Sequence, residues 1–234
     1  MNTISIIIGI VFLICVISGL WQGLFRVLVS VAGLIVSIVI AVYVAPYVSS
    51  SLEKNSQLDE RLAQYISEKM QFSEAGEETS KGVQVAIIEG LPLPETMKGN
   101  ILNNNNAEMY DVLNATGVYD YIAKSVAMVV LNAVVFLALV LICRIFFFFL
   151  GRTAKGLSKL PILRSIDKVG GGALGAMKGL LLIWIFFLVL SVTSTMEWSQ
   201  SLIAEINATS ILKMLYDNNA LVDIVGDLTK VLFL

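Results

Sequence analysis

Few groups in this 234-residue sequence are placed to do chemistry inside its long apolar runs. Histidine is absent, which removes the commonest general base and the commonest metal ligand. Cys15 and Cys143 both fall inside apolar runs, where a free thiol behaves as a small hydrophobe and the pair forms neither a disulfide framework nor a metal-ligand spacing. Asn132 is the main strongly polar group in its run, and a hydrogen bond to a neighbouring helix accounts for it. Lys178 stands about two turns into another run, from which its long stem can reach the headgroups; substrate binding is the minority role. A transporter driven by protons or sodium should place an acid or a broken helix near mid-membrane, yet no Asp or Glu falls inside the apolar runs. Paired aspartates, a Ser–His pair, a zinc motif and a phosphate loop are also missing. The expectation is a protein that is not an enzyme, with no catalytic residue, no cofactor and no metal.

The elements that carry these residues follow from composition. Hydrophobic residues make up 57% of the chain, charged residues 15%, and mean hydropathy is +0.82. Soluble domains are about 45–50% apolar and about 25% charged, so the chain belongs in a bilayer. A hydrocarbon core of about 30 Å needs about 20 apolar helical residues, and four blocks qualify: about 4–20, 24–48, 125–150 and 171–192. The fold class expected is all-α, a polytopic membrane protein with four transmembrane helices plus amphipathic extracytoplasmic helices. Its parts would be a helical hairpin over 1–48, an acidic loop over 49–123, a second pair of spans over 124–193 joined by a basic linker, and amphipathic C-terminal helices over 194–234. "MNTIS" has no Lys or Arg, which argues against a cleaved signal peptide.

Charge gives a direction. Arg144 to Lys178 holds seven bases against Asp167 alone, and the first hairpin adds Arg26. Residues 48–123 hold twelve acids against five bases, and the tail after Val192 five against two. Short loops rich in Lys and Arg stay in the cytoplasm, so both termini and the central loop are expected outside. The partners expected from composition are the lipid bilayer and a second copy of the chain, with no nucleic acid.

At the doorway of the last span, "KLPILRSIDKVGGGALGAMKGLL" passes from basic residues to clustered glycines to an apolar run. Pro161 stops a helix continuing from the third span, and Ser165 or Asp167 can cap the next. Gly171, Gly175 and Gly179 recur every four residues and line one helix face, a groove where a neighbouring backbone can approach closely. Gly33, Ser37 and Ala41 form a second small-residue ladder, with Gly19 and Gly23 flanking the hairpin. Packing within the chain is the favoured use and contact between chains the other.

In the central loop, Leu52, Leu58, Leu62, Tyr65, Ile66 and Met70 recur near helical spacing, which predicts an amphipathic helix. "VQVAIIEGLPLPETM" reads as a short helix stopped at Pro92 and Pro94, and "GNILNNNNAEM" as a polar turn or mobile loop. The tail reads as two or three short amphipathic helices.

The stretch "LPILRSIDKVGGGALGAMKGLLL" resembles the signature of the colicin V production protein (CvpA) family. "SGLWQGLFRVLVSVAGLIVSIVIAVYVAP" is similar to that family's opening spans, and "ATSILKMLYDNNALVDIV" to the C-terminal ends of Gram-positive members. Together these cover roughly half the chain. The positions that match the motif are Pro161, Arg164, Asp167, Gly171, Gly175 and Gly179. Many members carry an Asp near the start of the first span, where this chain has Asn2, Thr3 and Ser5. The resemblance implies a bacterial plasma-membrane protein linked to production of an exported peptide toxin and to envelope integrity, with those residues serving turn, surface charge and helix groove. The alternative expectation is an oligomeric channel or small-solute transporter, with Ser30, Ser37, Asn132 and Lys178 along a pore.

Overall fold

The computed structural model describes residues 3–69, 81–91, 93–153 and 164–231. Pro161 and the basic linker over 154–163 lie outside the described residues, as do Met70 and Pro92. The described residues form eleven helices and no strand: α1 (Thr3–Gln22), α2 (Leu24–Asn55), α3 (Leu58–Lys69), α4 (Lys81–Glu89), α5 (Glu95–Asn103), α6 (Ala107–Val112), α7 (Val118–Thr153), α8 (Arg164–Val192), α9 (Glu197–Asn207), α10 (Ser210–Asp217) and α11 (Ala220–Val231).

Four helices, α1, α2, α7 and α8, are long and apolar enough to cross a membrane. Two of them overrun it. At 1.5 Å per residue, α2 and α7 are about 48 and about 54 Å long against a hydrocarbon core of about 30 Å. The second block does not end at Val48: the helix continues through Pro46 to Asn55, where Ser56 closes it on the Leu52 carbonyl. Pro46 removes one ladder bond, but Ala45 and Ser49 on either side are fully buried, so packing carries the helix across the gap. The third begins at Val118, well before residue 125, because Val118, Tyr121 and Ile122 are already core.

The spans pack in a row. α1 lies chiefly on α8, α8 also on α2, and α2 on α7. α1 therefore sits at the edge, with Ile6, Ile10, Leu13, Ile14 and Ile17 turned outward, as lipid-facing residues are. α7 is the most enclosed span.

The short helices gather at one end of the bundle. α3 folds back along α7 with Ala63 and Ile66 buried and Leu62 packed against the same core. α9 leaves α8 and packs beside the start of α1, where Ile4 N–H donates to the Glu205 carboxylate (3.3 Å) and the Ser5 and Thr209 hydroxyls lie 3.2 Å apart. α10 docks through Tyr216: its ring meets Phe187 edge-on at 5.5 Å, and its hydroxyl lies 3.2 Å from that of Ser191. Burial pushes the Tyr216 phenol up to about 12, with Ser191 partly offsetting the rise. Asn219 is fully buried and ties the α10–α11 turn to α8 by donating to the Trp184 carbonyl (2.9 Å).

The asparagine-rich stretch is the end of a short helix followed by a turn. Pro94 starts α5, which runs through Asn103 because Met97 and Ile101 share a buried face. Asn106 then caps α6 by accepting from Met109 N–H (3.0 Å). Residues 104–106 form the polar turn expected from composition, whereas the apolar residues four apart keep the residues through Asn103 in a helix.

Candidate functional site

The α1–α8 contact is a seam of backbone on backbone. A Cβ placed on Gly175 would lie 2.5 Å from the Cys15 carbonyl oxygen, one on Gly171 would collide with the Gly19 carbonyl, and one on Gly19 would collide with the Gly171 carbonyl. Gly179 is looser: a Cβ there would be 3.0 Å from the Phe12 ring and 3.2 Å from the Cys15 side chain. Every four residues along α8, then, one glycine admits one turn of α1: Gly23 and Gly19, then Cys15, then Phe12. No side chain fits at the first two steps, and such close approach is how helices associate where lipid removes the hydrophobic drive.

Asp167 closes the seam at its open end. It does not cap its own helix, which already starts at Arg164. Its carboxylate instead reaches the hairpin between α1 and α2 and accepts from Leu24 N–H at 2.8 Å. This is an N-cap supplied from another helix, and the negative charge also complements the α2 dipole. Gly23 makes room for it. Its φ of +79° favours glycine, and a Cβ there would collide with the Asp167 carboxylate. Sequence reading placed Asp167 on its nearest helix end; the motif's carboxylate in fact bonds a residue 143 positions away.

The second ladder faces α7. A Cβ on Gly33 would be 3.2 Å from the Arg144 guanidinium, so this glycine leaves space for a cation rather than a backbone. Arg144 donates to the Ser30 hydroxyl one turn earlier on α2 (3.0 Å). Ser37 is fully buried and donates back to the Gly33 carbonyl (2.7 Å), and Ala41 is fully buried in the core shared with α7. The Arg144–Ser30 pair was not singled out from sequence. A cation close to the end of an apolar run reads as a flank, and only the structure puts a serine opposite.

Among the polar groups weighed for a pore, Asn132 is buried within α7 and Ser37 is turned onto its own backbone. Ser30 and Lys178 come together, lining a crevice of about 170 Å³ between α1, α2 and α8. Pro161 lies outside the described residues, and of Arg164 only its place at the start of α8 is described. Among the described residues no group of three or more His, Cys, Asp or Glu is placed to hold a metal ion.

The sequence matches the family described as Colicin V production protein over residues 4–72 and 112–218. The chain belongs to the colicin V production protein family. Those two stretches take in all four spans, α3, α9 and α10, and both sides of the glycine seam. No curated protein and no solved structure matches.

Two predictions follow from the seam. Gly175→Leu must push α1 from α8 and should destabilise the protein in detergent by about 1–3 kcal/mol or more. Gly9→Ala, on the same α1 where no atom lies within 4 Å of an added Cβ, should be neutral or stabilising; thermal unfolding that ranks the two equally would remove the seam as a determinant. Asp167→Ala should cost about 0.5–2 kcal/mol through the lost cap, and Asp167→Asn, which keeps the acceptor, clearly less. Equal losses in the two variants would mean that charge, not the hydrogen bond to Leu24, is what α2 needs.

Proposed function

We propose that this family member is a non-enzymatic protein of the bacterial plasma membrane that supports peptide-toxin production and export, or envelope homeostasis, through helix contacts with partner proteins. The observation that carries the reading is the one-sided lobe: α3–α6 and α9–α11 are all mounted on the bundle end where α2 and α7 overrun the bilayer. The glycine seam is filled by α1 from the same chain. Contacts with an export or envelope partner therefore fall to the lobe and to the lipid-facing helix surfaces.

The lobe carries a surface suited to such contacts. Two crevices of about 200 and about 410 Å³ meet at Glu60 and Lys124. Glu53, Asp59, Glu68 and Asp120 line them as well, and Lys124 is already paired with Asp120 at 3.0 Å. A partner with a basic surface fits that balance. The orientation proposed puts this lobe outside and the linker end in the cytoplasm, because Arg152, Lys155, Lys159, Arg164 and Lys168 cluster at the opposite end of the chain's third and fourth spans.

Orientation is checked with single cysteines in a chain carrying Cys15→Ser and Cys143→Ser. Gln64→Cys, on the exposed face of α3, should react with a membrane-impermeant maleimide in intact spheroplasts, whereas Lys168→Cys should react only after permeabilisation; the reverse pattern would invert the topology. For function, Glu60→Lys with Glu68→Lys, expressed at the native level in a strain lacking the native copy, should fail to restore toxin secretion or detergent tolerance. Full restoration by that variant would take the acidic face of the lobe out of the mechanism.

A further inference from the structure

The crevice beside the seam is lined by polar groups from three of the four spans. Ser18 and Gln22 of α1 line it from one side, Ser30 of α2 from a second and Lys178 of α8 from a third, with Cys15 beside them. The Gln22 amide donates to the Ser18 hydroxyl, and Arg144 donates to that of Ser30. Ile14 and Leu182 supply apolar wall.

Among the described residues Lys178 makes no ion pair and no hydrogen bond, and the hydrogen bond given for Arg144 goes to the neutral hydroxyl of Ser30. The carboxylate of Asp167 is engaged at Leu24, eleven residues and about 16 Å back along α8. Cations in a low-dielectric setting need a counter-charge. Lys178 lies between Gly175 and Gly179, which face Cys15 and Phe12. That level is about 10 Å inside the Gln22 end of α1 at 1.5 Å per residue. Ser18 and Gln22 provide a polar wall between that end and the ammonium.

We propose that this crevice binds a phosphate-class oxyanion, held by Lys178 and by donors of Ser18, Gln22 and Ser30, with Arg144 supporting the field from behind Ser30. Hydroxyl, amide and ammonium donors on three helices approach from different directions, which suits an anion with several acceptor oxygens better than a planar group gripped from one side. A volume of about 170 Å³ is room for about five waters at about 30 Å³ each, enough for such a group with part of its hydration. The source is either inorganic phosphate or the phosphodiester of an anionic lipid headgroup, and the experiment separates them.

Cys15 supplies the reporter. The full chain carrying Cys143→Ser, reconstituted in nanodiscs of neutral phosphatidylcholine, is alkylated at Cys15 with N-ethylmaleimide. The rate is measured with inorganic phosphate added, and separately with phosphatidylglycerol in the disc. Occupancy should slow the reaction about fivefold at a ligand level about four times the dissociation constant. Lys178→Gln should abolish the slowing, while Lys178→Arg and Lys168→Gln, the latter an exposed cation outside the crevice, should retain it. Slowing by phosphate identifies the free anion; slowing by phosphatidylglycerol alone identifies the lipid. No slowing with either, or slowing that persists in Lys178→Gln, overturns the proposal.

Discussion

The structure depends on how closely α1 can lie against α8. α1 is the edge helix of a row, packed chiefly on α8 with far less contact to α2, and the glycines at 19, 171 and 175 set how close that main contact can be. In water, an apolar helix would be pressed onto the bundle by its own surface. In a bilayer that drive is absent, and dispersion between closely approaching backbones has to replace it. The carbonyls of Cys15, Gly19 and Gly171 are reachable only because nothing projects between them. Any side chain at Gly171 or Gly175 would convert a backbone contact into a gap.

The same seam fixes the entry to α2. With α1 seated, the tight turn at Gly23 brings Leu24 N–H against Asp167, so one residue of α8 secures the hairpin that α8 itself grips. Clamp and seam are therefore coupled: shift α1 by one turn and the carboxylate has no amide to accept from. The other end of α1 is held differently, by Ile4 and Ser5 against Glu205 and Thr209. Those are contacts between polar groups at the margin of the span, where water can compete for them. The seam instead relies on close backbone packing at Gly19, Gly171 and Gly175.

The four spans were legible because length and composition decide them, and so were the three C-terminal helices, whose apolar residues keep helical spacing. What a small-residue ladder touches is not written in its spacing. Gly171, Gly175 and Gly179 oppose a backbone, whereas Gly33 opposes a guanidinium, and both patterns look alike along the chain. Asp167 shows the same limit: a local rule assigns a capping residue to the nearest helix end, while the fold offers it a better amide far away. The polar stretch over 99–106 was legible only in part: residues 104–106 do form a turn, but 99–103 are helical because Met97 and Ile101 share a buried face.

The described residues of the two stretches outside the family match, within 81–111 and 219–231, are not peripheral additions. They meet each other: α5 packs on α11, and the Asn100 side chain lies against Gly226, where an added Cβ would have to displace it. Together they cover the part of α7 around Tyr121, whose hydroxyl donates to the Ile101 carbonyl at 2.8 Å and whose ring stacks on Tyr110 at 4.8 Å. Ile88, Leu91, Met97 and Ile101 from one stretch and Leu221, Val222 and Val225 from the other join a single buried cluster with Val118 and Ile122. The overrun of α7 beyond the bilayer would otherwise present those apolar residues to water, where the hydrophobic effect does operate. The chain thus uses two different forces at its two ends: backbone proximity where lipid surrounds the helices, and burial of side chains where solvent does. The second force is supplied in part by segments the family match does not reach, and in part by Ala63, Ile66, Ile203, Ile206, Leu212 and Tyr216 within it, so the lobe joins family-matched helices to this chain's own.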